Sequence, residues 1–159
     1  INDESLDIDE NSILMIRGCG PVGYPGSAEV VNMQPPDKLL KKGINTLPTL
    51  GDGRQSGTSE SPSILNVSPE SAIGGGLLIV ETGDKIKIDL NNSRIDLLIS
   101  NEEIEKRKKD VKIPKLENQT PWQEIARKMV GQLETGACLE TESLYLDITN
   151  TKGIPRHSH

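Results

Sequence analysis

A chain of 159 residues is long enough for one domain with a single core. Its formal net charge of −6 argues against a nucleic-acid partner, which needs clustered Lys and Arg, and no apolar run approaches the roughly 18 residues that cross a bilayer. The apolar fraction is 33%, Phe is absent and the aromatic residues are Tyr24, Trp122 and Tyr145, so the core must be aliphatic and thin, and a partner domain or subunit is expected to complete it.

Residues 1–11 carry Asp3, Glu4, Asp7, Asp9 and Glu10 without the Gly and distal Glu of an EF-hand loop, which leaves a solvated lead-in. Ser12-Ile-Leu-Met-Ile-Arg17 has the length of a buried strand closed by Gly18, and a Gly- and Pro-rich loop follows to Gly26. Residues 36–42 read as a short helix, with Asp37 in the first turn, Lys41 and Lys42 in the last, and Gly43 as the stop. Residues 45–50 are a further strand candidate, leading into the polar loop Gly51-Asp-Gly-Arg-Gln-Ser-Gly-Thr-Ser59. Ser68 is expected to cap a short helix begun by Pro69 and Glu70. Leu77 to Val80 and Lys85 to Leu90 flank Thr82-Gly83-Asp84 as the arms of a hairpin, and residues 94–99 alternate as a half-buried strand does.

Ser100 and Glu103 have capping-box spacing for a helix through about Lys109, and its end, Lys106-Arg107-Lys108-Lys109, reads as solvated. Thr120, Pro121 and Gln123 repeat the signal and open a helix with Ile125, Met129, Val130 and Leu133 on one stripe. Strands first and helices last make an α+β arrangement.

Three motifs bear on chemistry. Gly18-Cys-Gly-Pro-Val-Gly23 fits the dinucleotide pattern G-x-G-x-x-G, but Pro21, Pro25 and Gly26 argue against the helix that such a site needs. Ser56 lacks the Gly two places earlier that a nucleophile elbow requires, and the histidines, His157 and His159, stand at the chain's end, so a Ser-His-Asp hydrolase is poorly supported. On composition alone the loop around Ser56 is a Gly/Ser turn. Asn66-Val67-Ser68 is a formal glycosylation sequon, expected to stay unmodified because no signal peptide opens the chain. Cys19 and Cys138 are distant in sequence; without a secretory signal no disulfide is expected, and two thiolates are too few for a four-ligand iron–sulfur site.

Taken as ordered blocks, Arg17-Gly-Cys-Gly-Pro-Val-Gly-Tyr-Pro-Gly-Ser-Ala-Glu-Val-Val-Asn-Met33, Gly51-Asp-Gly-Arg-Gln-Ser-Gly-Thr58, Val67-Ser-Pro-Glu-Ser-Ala-Ile-Gly-Gly75 and Thr82-Gly-Asp-Lys-Ile-Lys-Ile-Asp89 resemble the iron–sulfur-dependent dihydroxy-acid and sugar-acid dehydratase family. The ending, Thr120-Pro-Trp-Gln-Glu-Ile125 through Gly131-Gln-Leu133 to Gly153-Ile-Pro-Arg-His157, resembles its sugar-acid (pentonate) branch, as do Gln55 and Thr58. The resemblance implies a β-barrel-like β/β/α carboxy-terminal domain over residues 1–159, with its first strands absent. An amino-terminal domain lying outside this chain would hold the iron–sulfur cluster, of the 2Fe–2S type, and most magnesium ligands.

The implied reaction removes water from a 2,3-dihydroxy acid to give a 2-keto-3-deoxy acid. By position, Ser56 would be the base that takes the C2 proton, Glu29 a magnesium carboxylate, and Thr58 and Gly57 substrate-binding residues. A hard carboxylate oxygen suits a hard ion, and a nearby cation would stabilise a serine alkoxide. Glu60 stands where the family has a small residue. The implied partners are the hydroxy-acid substrate, the amino-terminal domain and, in a homo-oligomer (dimer or tetramer), further copies, with no nucleic acid and no membrane. The implied location is the cytoplasm, or an organelle in a eukaryote. Two alternatives stand beside this: the dihydroxy-acid dehydratase of branched-chain amino-acid biosynthesis, and a non-catalytic interaction fragment. The isolated chain is expected to be colourless and inactive.

Overall fold

The computed structural model describes residues 1–30, 33–56, 60–117, 119–141, 150, 151 and 153. Strand β1 (Leu14–Ile16) leaves the acidic lead-in and is followed by β2 (Glu29–Val30), the short helix α1 (Asp37–Leu40), β3 (Thr49–Gly51), β4 (Arg54–Gln55) and β5 (Ser63–Ile64). Strands β1, β3 and β5 form a parallel sheet in that order, with Leu14 opposite Thr49 and Thr49 opposite Ser63, while β2 pairs in parallel with β4. Then come the antiparallel pair β6 (Ile86–Asp89) and β7 (Arg94–Leu97), followed by helices α2 (Asn101–Asp110) and α3 (Pro121–Met129).

Helix and strand content is thus mixed, and among the described residues the sheets of three, two and two strands close no barrel, contrary to the barrel-like form expected. The core is aliphatic and small: Leu14, Leu39 and Leu47 cluster with Ile8, Met33 and Ile44 packed against them. A second apolar layer is made by Leu77, Leu78 and Ile79, and an open apolar cleft of about 250 Å³ between Leu50, Leu77, Ile86, Leu97 and Ile104 shows how loosely it is filled.

The expected hairpin is shifted one element along. Gly76–Ile79 is a 3-10 turn, not a strand, and β6 instead pairs with β7 across a turn in which Asp89 accepts from the backbone N–H and side chain of Asn92 at 3.1 and 3.0 Å. The reason lies in Arg17. Its Nη1 donates to the carbonyls of Leu77, Leu78 and Val80 at 3.0, 2.8 and 2.7 Å, and three convergent carbonyls are what a tight turn offers and an extended ladder cannot. Thr82 and Gly83 do form a turn, closed by Asp84 accepting from the N–H of Glu81.

Helix α3 has the complete box expected of it: Thr120 accepts from the N–H of Gln123 and Gln123 from the N–H of Thr120 at 2.9 Å. Helix α2 has half of one. Ser100 accepts from Glu103, but the Glu103 carboxylate turns to Arg107 at 2.9 Å. Arg107 is not part of a solvated end. It also binds Asp84 at 2.6 Å and the carbonyl of Ile79, fastening α2 to the 3-10 turn, and it holds the Asp84 carboxyl below the usual carboxylate range. The stripe of α3 is exposed at Ile125 and part-buried at Met129 and Val130, Val130 bridging to Leu139 beyond the helix, and Trp122 beside it is 80% exposed.

Candidate active site

Two buried carboxylates shape the site, and neither was singled out in the sequence. Asp52 and Glu70 are both 0% exposed. Asp52 accepts from the N–H groups of Gly18 and Cys19 at 2.9 and 3.0 Å, and from the N–H of Ser71 at 2.8 Å together with its hydroxyl. Glu70 accepts from Val22 and Gly23 at 2.7 and 2.9 Å and from the Gln132 amide at 2.8 Å. Burial pushes the Asp52 carboxyl up, but the donors from Ser71, Gly18 and Cys19 outweigh it and hold it below its ordinary value.

The Gly18 to Gly26 loop is thus an anion nest that the protein fills with its own side chains. This settles the dinucleotide pattern: the loop N–H groups that would face a pyrophosphate are occupied, and the loop opens no helix, folding back instead with Tyr24 donating to the carbonyl of Gly18 at 2.7 Å. The glycines are needed for closeness. A Cβ at Gly20 would strike the Glu70 carboxylate, and one at Gly53 would come within 2.7 Å of the Cys19 Cβ.

The same carboxylates explain why Ser68 does not cap. The turn over Ser71–Ile73 has Glu70 at its N-cap without a side-chain bond, because Asp52 already takes the Ser71 N–H and Glu70 points into the loop. The Ser68 hydroxyl is buried with no partner among the described residues.

The loop delivers Glu29 to β2, and the second polar loop delivers Ser56 to the end of β4. Glu29 lies opposite Arg54, so the two point to the same face of the ribbon, and Ser56 follows in a bend directly after β4. The exposure agrees: Arg54 and Ser56 are exposed, while Gln55 between them is 7% exposed. Arg54 donates from Nε to the carbonyl of Ser27 at 2.9 Å, tying the two loops together. The Glu29 carboxylate is exposed and has no hydrogen bond or ion pair among the described residues, which leaves its oxygens free for a hard cation. Thr58 and Gly57 lie outside the described residues, as do His157 and His159.

Residues 1–137 match the family model described as dihydroxy-acid/6-phosphogluconate dehydratase C-terminal. The chain belongs to that family. It is 61% identical over its whole length to the D-xylonate dehydratase of Caulobacter vibrioides, of which it covers 26%. It is 51% identical to the L-arabinonate dehydratase of Rhizobium leguminosarum over 67% of this chain and 18% of that one, and 39% identical to a dihydroxy-acid dehydratase of Thermodesulfovibrio yellowstonii over 84% and 24%. The chain spans about a quarter of the length of these curated relatives.

Its two cysteines lie far apart in the sequence. Cys19 is part-buried, and burial, with Asp52 beside it, pushes its thiol up, away from the thiolate a cluster needs, while Cys138 is exposed and pairs with no second cysteine. Among the described residues no group of three or more His, Cys, Asp or Glu could hold a metal ion, and no helix is long and apolar enough to cross a membrane. Glu29 fits a metal site only as one ligand of a set completed from elsewhere.

Proposed function

We propose that the full-length protein is a hydro-lyase of the cytoplasm that dehydrates a 2,3-dihydroxy sugar acid to a 2-keto-3-deoxy acid, with Ser56 as the base at C2 and Glu29 as one carboxylate of a magnesium site. What supports the reading is the in-register pairing of Glu29 with Arg54, with Ser56 exposed directly after β4, in a dehydratase-family chain. The family's barrel-like β/β/α form would belong to the complete domain, and an amino-terminal domain, with further copies in a homo-oligomer, would cover the exposed stripe of α3 at Trp122 and Ile125.

Bound magnesium would supply the positive charge that makes a serine alkoxide and a C2 carbanion affordable near neutral pH. Glu29 anchors that charge on the face of Ser56. As the alkoxide, the Ser56 oxygen would take the C2 proton and return to the hydroxyl, and the Arg54 guanidinium, held by the Ser27 carbonyl, adds fixed positive charge where a substrate carboxylate arrives. Thr58 and Gly57, next in the chain, would orient the substrate. Departure of the 3-hydroxyl, and the 2Fe–2S cluster itself, belong to groups outside this chain.

Glu29→Gln keeps the shape but removes the charge that balances the cation, so the magnesium concentration for half-maximal activity should rise by roughly tenfold or more. Unchanged magnesium dependence would show that Glu29 is not a ligand. The substrate class is read from the ranking of relatives, 61% and 51% identity to sugar-acid dehydratases against 39% to a dihydroxy-acid dehydratase. Pentonates or hexonates should therefore be turned over with a higher kcat/KM than branched dihydroxy acids, and the reverse order in a panel of acids would assign the protein to the biosynthetic reaction.

A further inference from the structure

The ladder between the loop of Glu29 and the loop of Ser56 is short. Strands β2 and β4 have two residues each, with Glu29 opposite Arg54 and Val30 opposite Gln55. A parallel pair of that length does not fix two loops by itself, since strands usually run to about five or six residues. Asp52 joins the loops where they begin, through the N–H groups of Gly18 and Cys19. Where they end, close to Glu29 and Ser56, the tie is Arg54: its Nε donates to the carbonyl of Ser27 at 2.9 Å.

Ser27 needs that tie. Its φ is +57°, in the left-handed region that a residue with a Cβ rarely adopts, and its hydroxyl makes no hydrogen bond among the described residues. The backbone holds the turn instead. The Ser27 N–H donates to the carbonyls of Cys19 and Gly20 at 3.0 and 3.1 Å, and its own carbonyl accepts from Arg54. Strained residues persist where their surroundings over-determine them, and here bonds on both sides of Ser27 do so. Gln55, buried at the next position of β4, fixes which way that strand faces and so where Arg54 starts from.

We propose that Arg54 is a positioning residue for the dehydration: its Nε–H, bound to the Ser27 carbonyl, holds the end of the Glu29 loop against the end of the Ser56 loop, so that proton acceptor and metal carboxylate meet one substrate together. This rests on the roles proposed above for Ser56 and Glu29, and it gives Arg54 a second task, separable from its charge.

Two substitutions separate the tasks. Gln carries a nitrogen at the same place along its stem as the Arg Nε, so Arg54→Gln keeps an N–H for Ser27 and loses the charge. Lys has carbon at that place and its donor one atom further out on a flexible stem, so Arg54→Lys keeps the charge and loosens the tie.

Kinetics of the full-length protein on a pentonate, beside a melting curve, read the result. Arg54→Lys should lower kcat roughly tenfold to a hundredfold, as a small misplacement of reacting groups does, with KM and the magnesium concentration for half-maximal activity held within about threefold and melting unchanged. Arg54→Gln should keep kcat within about threefold and raise KM roughly tenfold, the effect of one lost charge-assisted hydrogen bond. Wild-type kcat in Arg54→Lys, or a kcat that falls as far or further in Arg54→Gln, would overturn the proposal, because the guanidinium would then act by charge alone. A lower melting temperature in Arg54→Lys, or failure of that variant to fold, would make Arg54 a structural residue and overturn it as well. The two levels fail separately: an active Ser56→Ala would remove the reading of the site, whereas a dead Ser56→Ala beside a normal Arg54→Lys would remove the tie alone.

Discussion

Ser56→Ala in the full-length protein should abolish turnover of a sugar acid while the melting curve and magnesium content stay as they were. Ser56 is exposed, and its hydroxyl makes no hydrogen bond to a described residue, so its removal takes nothing from the fold. What it takes is the proton acceptor, and a positioned base contributes roughly 10²-fold to 10⁴-fold to a rate. Steady-state kinetics beside a circular-dichroism melt separate the two effects. Retention of more than a few per cent of the wild-type rate would remove Ser56 from the mechanism, and a lowered melting temperature would mean that the serine is structural.

The opposite pattern is expected at Asp52. Asp52→Ala strands the N–H groups of Gly18, Cys19 and Ser71 and the Ser71 hydroxyl in a place water does not reach. At about 1–3 kcal/mol per stranded donor, partly recovered by relaxation, the loss should be on the order of 3 kcal/mol or more by denaturant titration. Loss of less than about 1 kcal/mol would mean the loop holds its shape without the carboxylate. The acid limb gives an independent check. The folded Asp52 carboxyl sits below its ordinary value of 3.8, so its stabilisation is fully present above that pH and fades as pH falls through the lower, folded value. The gap between wild type and Asp52→Ala should therefore be constant toward neutral pH and narrow only below about 3.8. A gap that narrows as pH rises would contradict the assignment.

What could be read from the sequence was what neighbours in the chain decide. Thr120, Pro121 and Gln123 make their cap among themselves, Gly43 stops α1 with φ +80°, and the strand before Gly18 needs only its apolar run. Ser56 and Glu29 emerged from ordered motif blocks, and the short pairing of β2 with β4 brings the two loops that carry them together. The failures come from partners far along the chain. Leu77 to Val80 looks extended until Arg17, about 60 residues earlier, collects its carbonyls. Ser68 looks like a cap until Asp52 claims the N–H of Ser71. Asp52 and Glu70 looked like loop decoration, although a carboxylate between two glycines, as in Gly51-Asp52-Gly53, was the available hint that a backbone would come close to it.

The loop that ends at Glu29 owes its shape to Asp52, Glu70 and Gln132, residues from three later stretches of the chain. It is consequently no portable cassette. Transplanting residues 18–29 into a related dehydratase in order to change its substrate would move four backbone donors without their acceptors, and the graft would relax into a different curve. The unit that can be exchanged is the loop together with its two distant acids, so in a shuffled library of such enzymes active chimeras should be those whose crossovers keep Gly18, Asp52 and Glu70 from one parent.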